Sequence, residues 1–118
     1  MKRLRKSFYY AFSGLKQTWQ KEQNFRIQLL IGSIIIAAGM IISLDWFRMF
    51  ALIVTICMVL SLETINSAFE RYIDRISPER DDTIGLVKDM LAGAVLLSVL
   101  ASVIIAGLVF IKPLSVIF

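Results

Sequence analysis

The chain has 118 residues, 58% of them hydrophobic, with a strongly positive mean hydropathy and a net charge of +4. A soluble domain of this size could not hide so much apolar surface in one core, so the composition excludes the soluble classes and indicates an all-α integral membrane protein. With about 20 apolar residues needed per spanning helix, the length allows roughly three spans, and any active site must be built from the spans themselves.

The opening MKRLRK has the charge of a signal peptide's basic region, but SFYYAFSGLKQTWQKEQNFR is too polar to be its apolar core. No cleavable signal is expected. Over residues 1–25, Leu4, Phe8, Phe12, Leu15 and Trp19 fall within a helical stripe of roughly 80°, with Lys2, Arg3, Arg5, Lys6 and Lys16 mostly off it. This predicts an amphipathic helix on the membrane surface, aromatic side towards the acyl chains and basic side towards anionic headgroups. A plain positive topology anchor is the other reading.

No charge occurs from Ile27 to Leu44, which predicts the first span over residues 27–44. Asp45 and Trp46 make a short polar and aromatic boundary. The second span, with an extension into the cytoplasm, is expected over residues 46–75. Its uncharged stretch from Met49 to Leu62 gives only about 21 Å of helix against a hydrocarbon core about 30 Å thick, so Glu63 is expected within the inner leaflet. Residues 76–82 read as a cytoplasmic loop, because Pro78 removes a backbone donor and Asp81 or Asp82 can cap the next helix. The third span is expected over residues 84–112, closed by Pro113. Its small residues Ala94, Ser98, Ser102 and Ala106 are read as an ordinary close-packing ridge. The whole chain is then a single membrane domain.

Seven basic residues lie between Met1 and Arg26, and Arg71, Arg75, Arg80 and Lys88 flank the second loop, against Arg48 and Lys112 on the other side. The amino terminus and second loop are therefore expected in the cytoplasm, with every carboxylate except Asp45 on that side. Lipid headgroups and topology account for the +4 charge, and no nucleic-acid role is needed. Cys57 stands alone in an apolar run, and histidine is absent, so a metal would need oxygen ligands such as those of Mg²⁺, Mn²⁺ or Ca²⁺.

Relative to Glu63, the positions of Asn66, Glu70 and Asp74 fall at about −60°, −20° and +20° on a helix. They form one polar stripe. A charge near mid-span costs about 2.5–3.5 kcal/mol on insertion scales, so an idle acid at position 63 is disfavoured, while Asp74 near the helix end also fits a solvated face. A carboxylate kept from water suits general-base work, and one nearer water suits a hard divalent cation. Glu63 fits the first role and Glu70 the second. Glu22, on the angular side of Leu4, would supply a second metal ligand if the surface helix runs that far. Lys88 reads either as a phosphate-holding cation or as a snorkelling anchor. No GxxxxGK[ST] phosphate loop occurs.

ETINSAFERYIDR followed by GLVKDMLAGAVLLS resembles the prokaryotic diacylglycerol kinase family, and SFYYAFSGLKQTWQKEQNFRIQ extends the resemblance over nearly the whole chain. EQNFRIQ and AGAVL look more like the Gram-positive undecaprenol kinase branch. The resemblance implies a homotrimer with active sites shared between subunits. It also implies an ATP- and Mg²⁺-dependent lipid kinase, with Mn²⁺ able to substitute, acting on undecaprenol or diacylglycerol. Carried over by position, Glu63 is the general base supported by Asn66, and Glu22 and Glu70 are the metal ligands. Tyr10, Asp74, Lys88 and Asp89 join Glu22 and Glu70 around the nucleotide, and Trp19 and Arg26 join Glu63 at the lipid substrate. Many relatives have a histidine in the loop that reads PERDDTIG here, so no nucleotide contact is assigned to residues 79–81. A small oligomeric proton-coupled transporter would also use an intramembrane acid, but it needs access from both sides. A pore-forming peptide would not need aligned acids.

Overall fold

A computed structural model of the chain describes residues 1–79 and 81–117. Arg80, one of the basic residues counted for topology, lies outside the described residues. Four helices follow in order, α1 (Lys2–Lys21), α2 (Gln23–Ile41), α3 (Trp46–Ile76) and α4 (Asp82–Ile117). The last three are each long and apolar enough to cross a membrane, so the protein is an all-α, three-span chain with an additional amino-terminal helix.

The joint between α1 and α2 is one residue. Glu22 takes an extended conformation (φ −113°, ψ 109°); its N–H closes α1 on the Thr18 carbonyl at 2.9 Å, and its own carbonyl accepts the Arg26 N–H at 3.3 Å to open α2. The Arg26 guanidinium then bonds back to the carbonyls of Trp19 (2.7 Å) and Gln20 (2.9 Å), satisfying the last turn of α1. The helix bounds differ from the charge-free runs for this reason. α1 stops before Glu22, so Glu22 sits at a corner and not on a continued helical face. α2 begins at Gln23, with Arg26 in its first turn.

The α2–α3 turn is equally tight. The Ser43 N–H bonds the Met40 carbonyl (3.2 Å) and the Leu44 N–H bonds the Gly39 carbonyl (3.0 Å), a Schellman pairing that needs the left-handed φ of 57° at Ser43. Asp45 caps α3 by accepting the Arg48 N–H at 3.3 Å, and the Arg48 guanidinium bonds its other oxygen at 2.6 Å. That side-chain bond holds the Asp45 carboxyl below the usual carboxylate range. At the far end of α3, Asp81 caps α4 by accepting the Ile84 N–H at 2.8 Å.

One expected stop is corrected: α4 runs through Pro113 to Ile117. Proline there costs a single hydrogen bond to the Val109 carbonyl, and the Ser115 hydroxyl supports the same turn by bonding the Lys112 carbonyl at 2.8 Å.

α3 is the central helix, packed against α4 and α2. Its buried residues Leu52, Val59, Glu63 and Ser67 lie on one stripe that changes from apolar to polar along the helix. α2 answers with Phe25, Gly32 and Gly39, buried at heptad spacing. Gly32 marks the closest approach, because a Cβ there would stand 2.7 Å from Cγ2 of Ile56. The outer surfaces carry exposed Leu97, Leu100, Val103, Ile104 and Leu108, as lipid-facing helices do. Gly32→Leu is therefore expected to push α2 from α3 and cost about 1–3 kcal/mol. Thermal unfolding in detergent micelles reads this as a lowered midpoint, and an unchanged midpoint would mean that Ile56 simply yields.

Candidate functional site

Depth along α3 sorts its acids. From the Asp45 cap, a hydrocarbon core about 30 Å thick takes up about 20 residues of helix. Glu63 lies inside that distance, and Glu70 and Asp74 lie beyond it. Glu63 is 4% exposed, and its Oε2 accepts a hydrogen bond from Nε2 of Gln28 on α2 at 3.4 Å. Asn66, the next polar position on this face, keeps its Oδ1 buried, and Gln28 keeps its Oε1 buried; among the described residues neither oxygen has a donor. The buried oxygens of Gln28 and Asn66 leave two acceptors on these helices that a donor from outside the single chain could satisfy.

Two ion pairs link the helices beyond Glu63. Glu22 Oε1 accepts both Nη2 (2.6 Å) and Nε (3.0 Å) of Arg71, which binds the α1–α2 corner to α3. Lys88, in the first turns of α4, pairs with Asp74 of α3. Glu22, Arg71 and Tyr10 line one cleft of about 450 Å³ between α1 and α3, together with Lys21, Thr64 and Ser67. Tyr10 is exposed there, with its ring edge-on to Tyr9 at 5.6 Å.

The remaining sequence-derived positions lie apart. Asp89 borders a separate cleft at the start of α4, with Asp81, Asp82, Gly85 and Leu86. Trp19 lines an apolar cleft with Phe12, Phe25, Leu29, Cys57 and Ile65. Arg26 spends its guanidinium on the end of α1. A further apolar cleft of about 360 Å³ runs from Gln28 along Gly32, Leu52 and Val59 to Ser102 and Ala106, between α2, α3 and α4.

Sequence reasoning missed Gln28 and Arg71. Gln28 is an amide in an otherwise apolar run, and the burial argument used for Glu63 applies to it as well. Arg71 had no such signal, because its partner lies 49 residues away and is brought to it by the corner at Glu22.

No three His, Cys, Asp or Glu side chains among the described residues form a group able to hold a metal by themselves. Mg²⁺ commonly takes one or two carboxylates and completes its shell with water and phosphate oxygens. Glu22, at the α1–α2 corner, and Glu70, beyond the hydrocarbon span of α3, are acids of the kind such a cation takes.

These features define a multi-pass helical membrane protein with an acidic site at one end of its spans. Comparison with known proteins narrows the class. The model of the family described as prokaryotic diacylglycerol kinase matches residues 9–110. A diacylglycerol kinase of Synechocystis is 34% identical over 109 residues, which is 92% of this chain and 62% of that protein, so the chain spans a little under two thirds of that relative. A diacylglycerol kinase of Escherichia coli is 30% identical over 102 residues, covering 86% of this chain and 84% of the relative. An undecaprenol kinase of Bacillus subtilis is 29% identical over 114 residues, covering 97% and 93%. The chain belongs to the prokaryotic diacylglycerol kinase family, a family of membrane lipid kinases.

The Gln28 to Glu63 contact is open to test. Gln28→Leu should lower stability by roughly 1–3 kcal/mol by leaving a buried carboxylate without its donor. The same change in a Glu63→Leu background should cost much less, and a double-mutant cycle of unfolding free energies showing no coupling would remove the contact from the account.

Proposed function

We propose that this chain transfers the γ-phosphate of ATP to the hydroxyl of a membrane lipid alcohol, with undecaprenol as the first candidate acceptor and diacylglycerol as the second. The observation that carries this reading is Glu63, a carboxylate buried on a membrane helix and supported by an amide donor. A lipid hydroxyl held at the membrane surface donates its proton to Glu63. Its oxygen then attacks the γ-phosphorus in line, forming the O–P bond as the bond to the β-phosphate oxygen breaks, and ADP leaves. Gln28 orients the base by holding one carboxylate oxygen, and Asn66 supplies an acceptor beside it. Glu22 and Glu70 are the residues that would hold Mg²⁺, or Mn²⁺ in its place. When bound, the cation supplies charge neutralisation at the β- and γ-phosphate oxygens. Lys88 contributes a further positive charge once it leaves Asp74.

The apolar cleft leading from Gln28 suits the hydrocarbon tail of the acceptor. The likeness of EQNFRIQ and AGAVL to the Gram-positive branch supports undecaprenol, while the identities of 34%, 30% and 29% to relatives of both kinds do not separate the two lipids. The basic residues of α1 and of the α3–α4 region support a cytoplasmic amino terminus and site at a bacterial cell membrane. The buried oxygens that lack donors in one chain, together with the family resemblance, support a homotrimer in which a neighbour completes each site. Nothing favours the transporter reading, because the acids gather at one end of the bundle.

Purified protein in lipid nanodiscs with Mg·ATP is expected to phosphorylate undecaprenol in preference to diacylglycerol when the two are assayed side by side. Phosphorylation of neither would overturn the kinase reading, and the opposite preference would reverse the choice of substrate. Glu63→Gln should lower turnover by at least about a hundredfold while nucleotide still binds. Full activity in that variant would remove Glu63 as the base. Glu22→Gln and Glu70→Gln should each raise the Mg²⁺ concentration needed for half-maximal rate, and superimposable Mg²⁺ titrations would refute them as ligands.

A further inference from the structure

The proposed function uses Glu22 and leaves unexplained the residue that occupies it. Arg71 places two guanidinium nitrogens on a single oxygen of Glu22, at 2.6 and 3.0 Å, and it is 54% exposed while Glu22 is 23% exposed. Such an exposed pair adds little to stability, so holding the corner in place is a weak reason for an arginine here. The pair also has little to prevent exchange. A divalent cation is a stronger partner for a carboxylate than a half-solvated guanidinium, and a displaced guanidinium is well shaped for phosphate oxygens.

The surroundings supply a destination. The cleft that contains the pair is lined by Tyr10, Gln17, Lys21 and Ser67 as well as Glu22 and Arg71, so two cationic side chains, an aromatic ring and hydrogen-bonding groups share one space of about 450 Å³. Ala11, Leu15 and Ala68 make part of the wall apolar, and the charged and hydrogen-bonding groups gathered at Glu22 and Arg71 suit phosphate. The second ion pair has the same form, since Lys88 rests on Asp74. Glu22 and Asp74 are thus each paired with a base that phosphate could draw away.

We infer that Arg71 is a further nucleotide-site residue, held by Glu22 in the nucleotide-free chain and transferred to the phosphate oxygens of ATP when a divalent cation takes its place on Glu22. The inference rests on the kinase reading and deepens it. Before nucleotide arrives, Arg71 neutralises part of an acid cluster that would otherwise repel itself; afterwards the same positive charge serves the triphosphate. Arg71 then competes with the free cation for Glu22 and assists the cation–nucleotide complex, so its removal has opposite effects on the two ligands.

Equilibrium titrations of the full chain in nanodiscs, without lipid acceptor, test this. The probes are Mn²⁺ alone, followed by its paramagnetic resonance signal, and Mg·ATP, followed by a competing fluorescent nucleotide. Arg71→Ala should weaken Mg·ATP binding about tenfold, the scale of one charge-assisted contact, and should tighten Mn²⁺ binding severalfold. Arg71→Lys keeps the charge but not the fork, and should lie between wild type and Arg71→Ala on both axes. If Arg71 only clamps the corner, both ligands weaken together, and that result overturns the inference. Unchanged Mg·ATP binding in Arg71→Ala or in Arg71→Lys also overturns it. Failure of the wild-type chain to bind Mg·ATP at all would instead strike the kinase reading on which the inference stands.

Discussion

A carboxylate cannot sit among apolar helices without support, and much of this architecture follows from holding Glu63 there. The group is costly at that depth unless it is shielded and hydrogen-bonded. α3 supplies the shield by placing Glu63 on the same stripe as Leu52 and Val59, the residues that pack it against its neighbours. α2 supplies the donor, Gln28, and can do so because Phe25, Gly32 and Gly39 let it lie close along α3. A wider helix separation would leave the acid facing lipid with no partner, and the chain would protonate it or expel it.

The second constraint is the corner at Glu22. A continuous helix through residues 2–41 would carry Glu22 away from α3. One extended residue, closed by Thr18 on one side and braced by Arg26 on the other, turns the chain so that Glu22 meets Arg71. The corner converts a sequence separation of 49 residues into a 2.6 Å contact. On the proposed roles it also sets their spacing: proton transfer would fall to Glu63, inside the hydrocarbon span, and cation and phosphate handling to Glu22, Glu70, Arg71 and Lys88 outside it.

Much of this was legible in the residues alone, for identifiable reasons. Three spans follow from apolar length, and the stripe of Glu63, Asn66 and Glu70 follows from helical period, because α3 is long and unbroken there. Helix ends were less legible. The break at Glu22 depends on a tertiary bond from Arg26, and the passage through Pro113 depends on how few bonds a proline removes near a helix end. The pairing of Arg71 with Glu22 was invisible because a basic side chain near a span end already had a sufficient explanation in topology. Gln28 was overlooked for a different reason: an amide carries no charge, and the cost of burying it is easily missed beside that of an acid.

The absence of a three-ligand metal group among the described residues bears on how such a site would operate. On the proposed assignment of Glu22 and Glu70, a lone divalent cation would keep most of its water, and its binding would be weak. The phosphate oxygens of ATP would complete the shell, so cation and nucleotide would bind better together than apart. Until then Arg71 and Lys88 balance the acids from within the chain. On the proposed roles, the dry end of the site would hold no cation before the nucleotide arrives, and Glu63 would stay available as the base. The order of events would then follow from the charges: the lipid hydroxyl would meet a free carboxylate, and the cation would come with the group it helps to move.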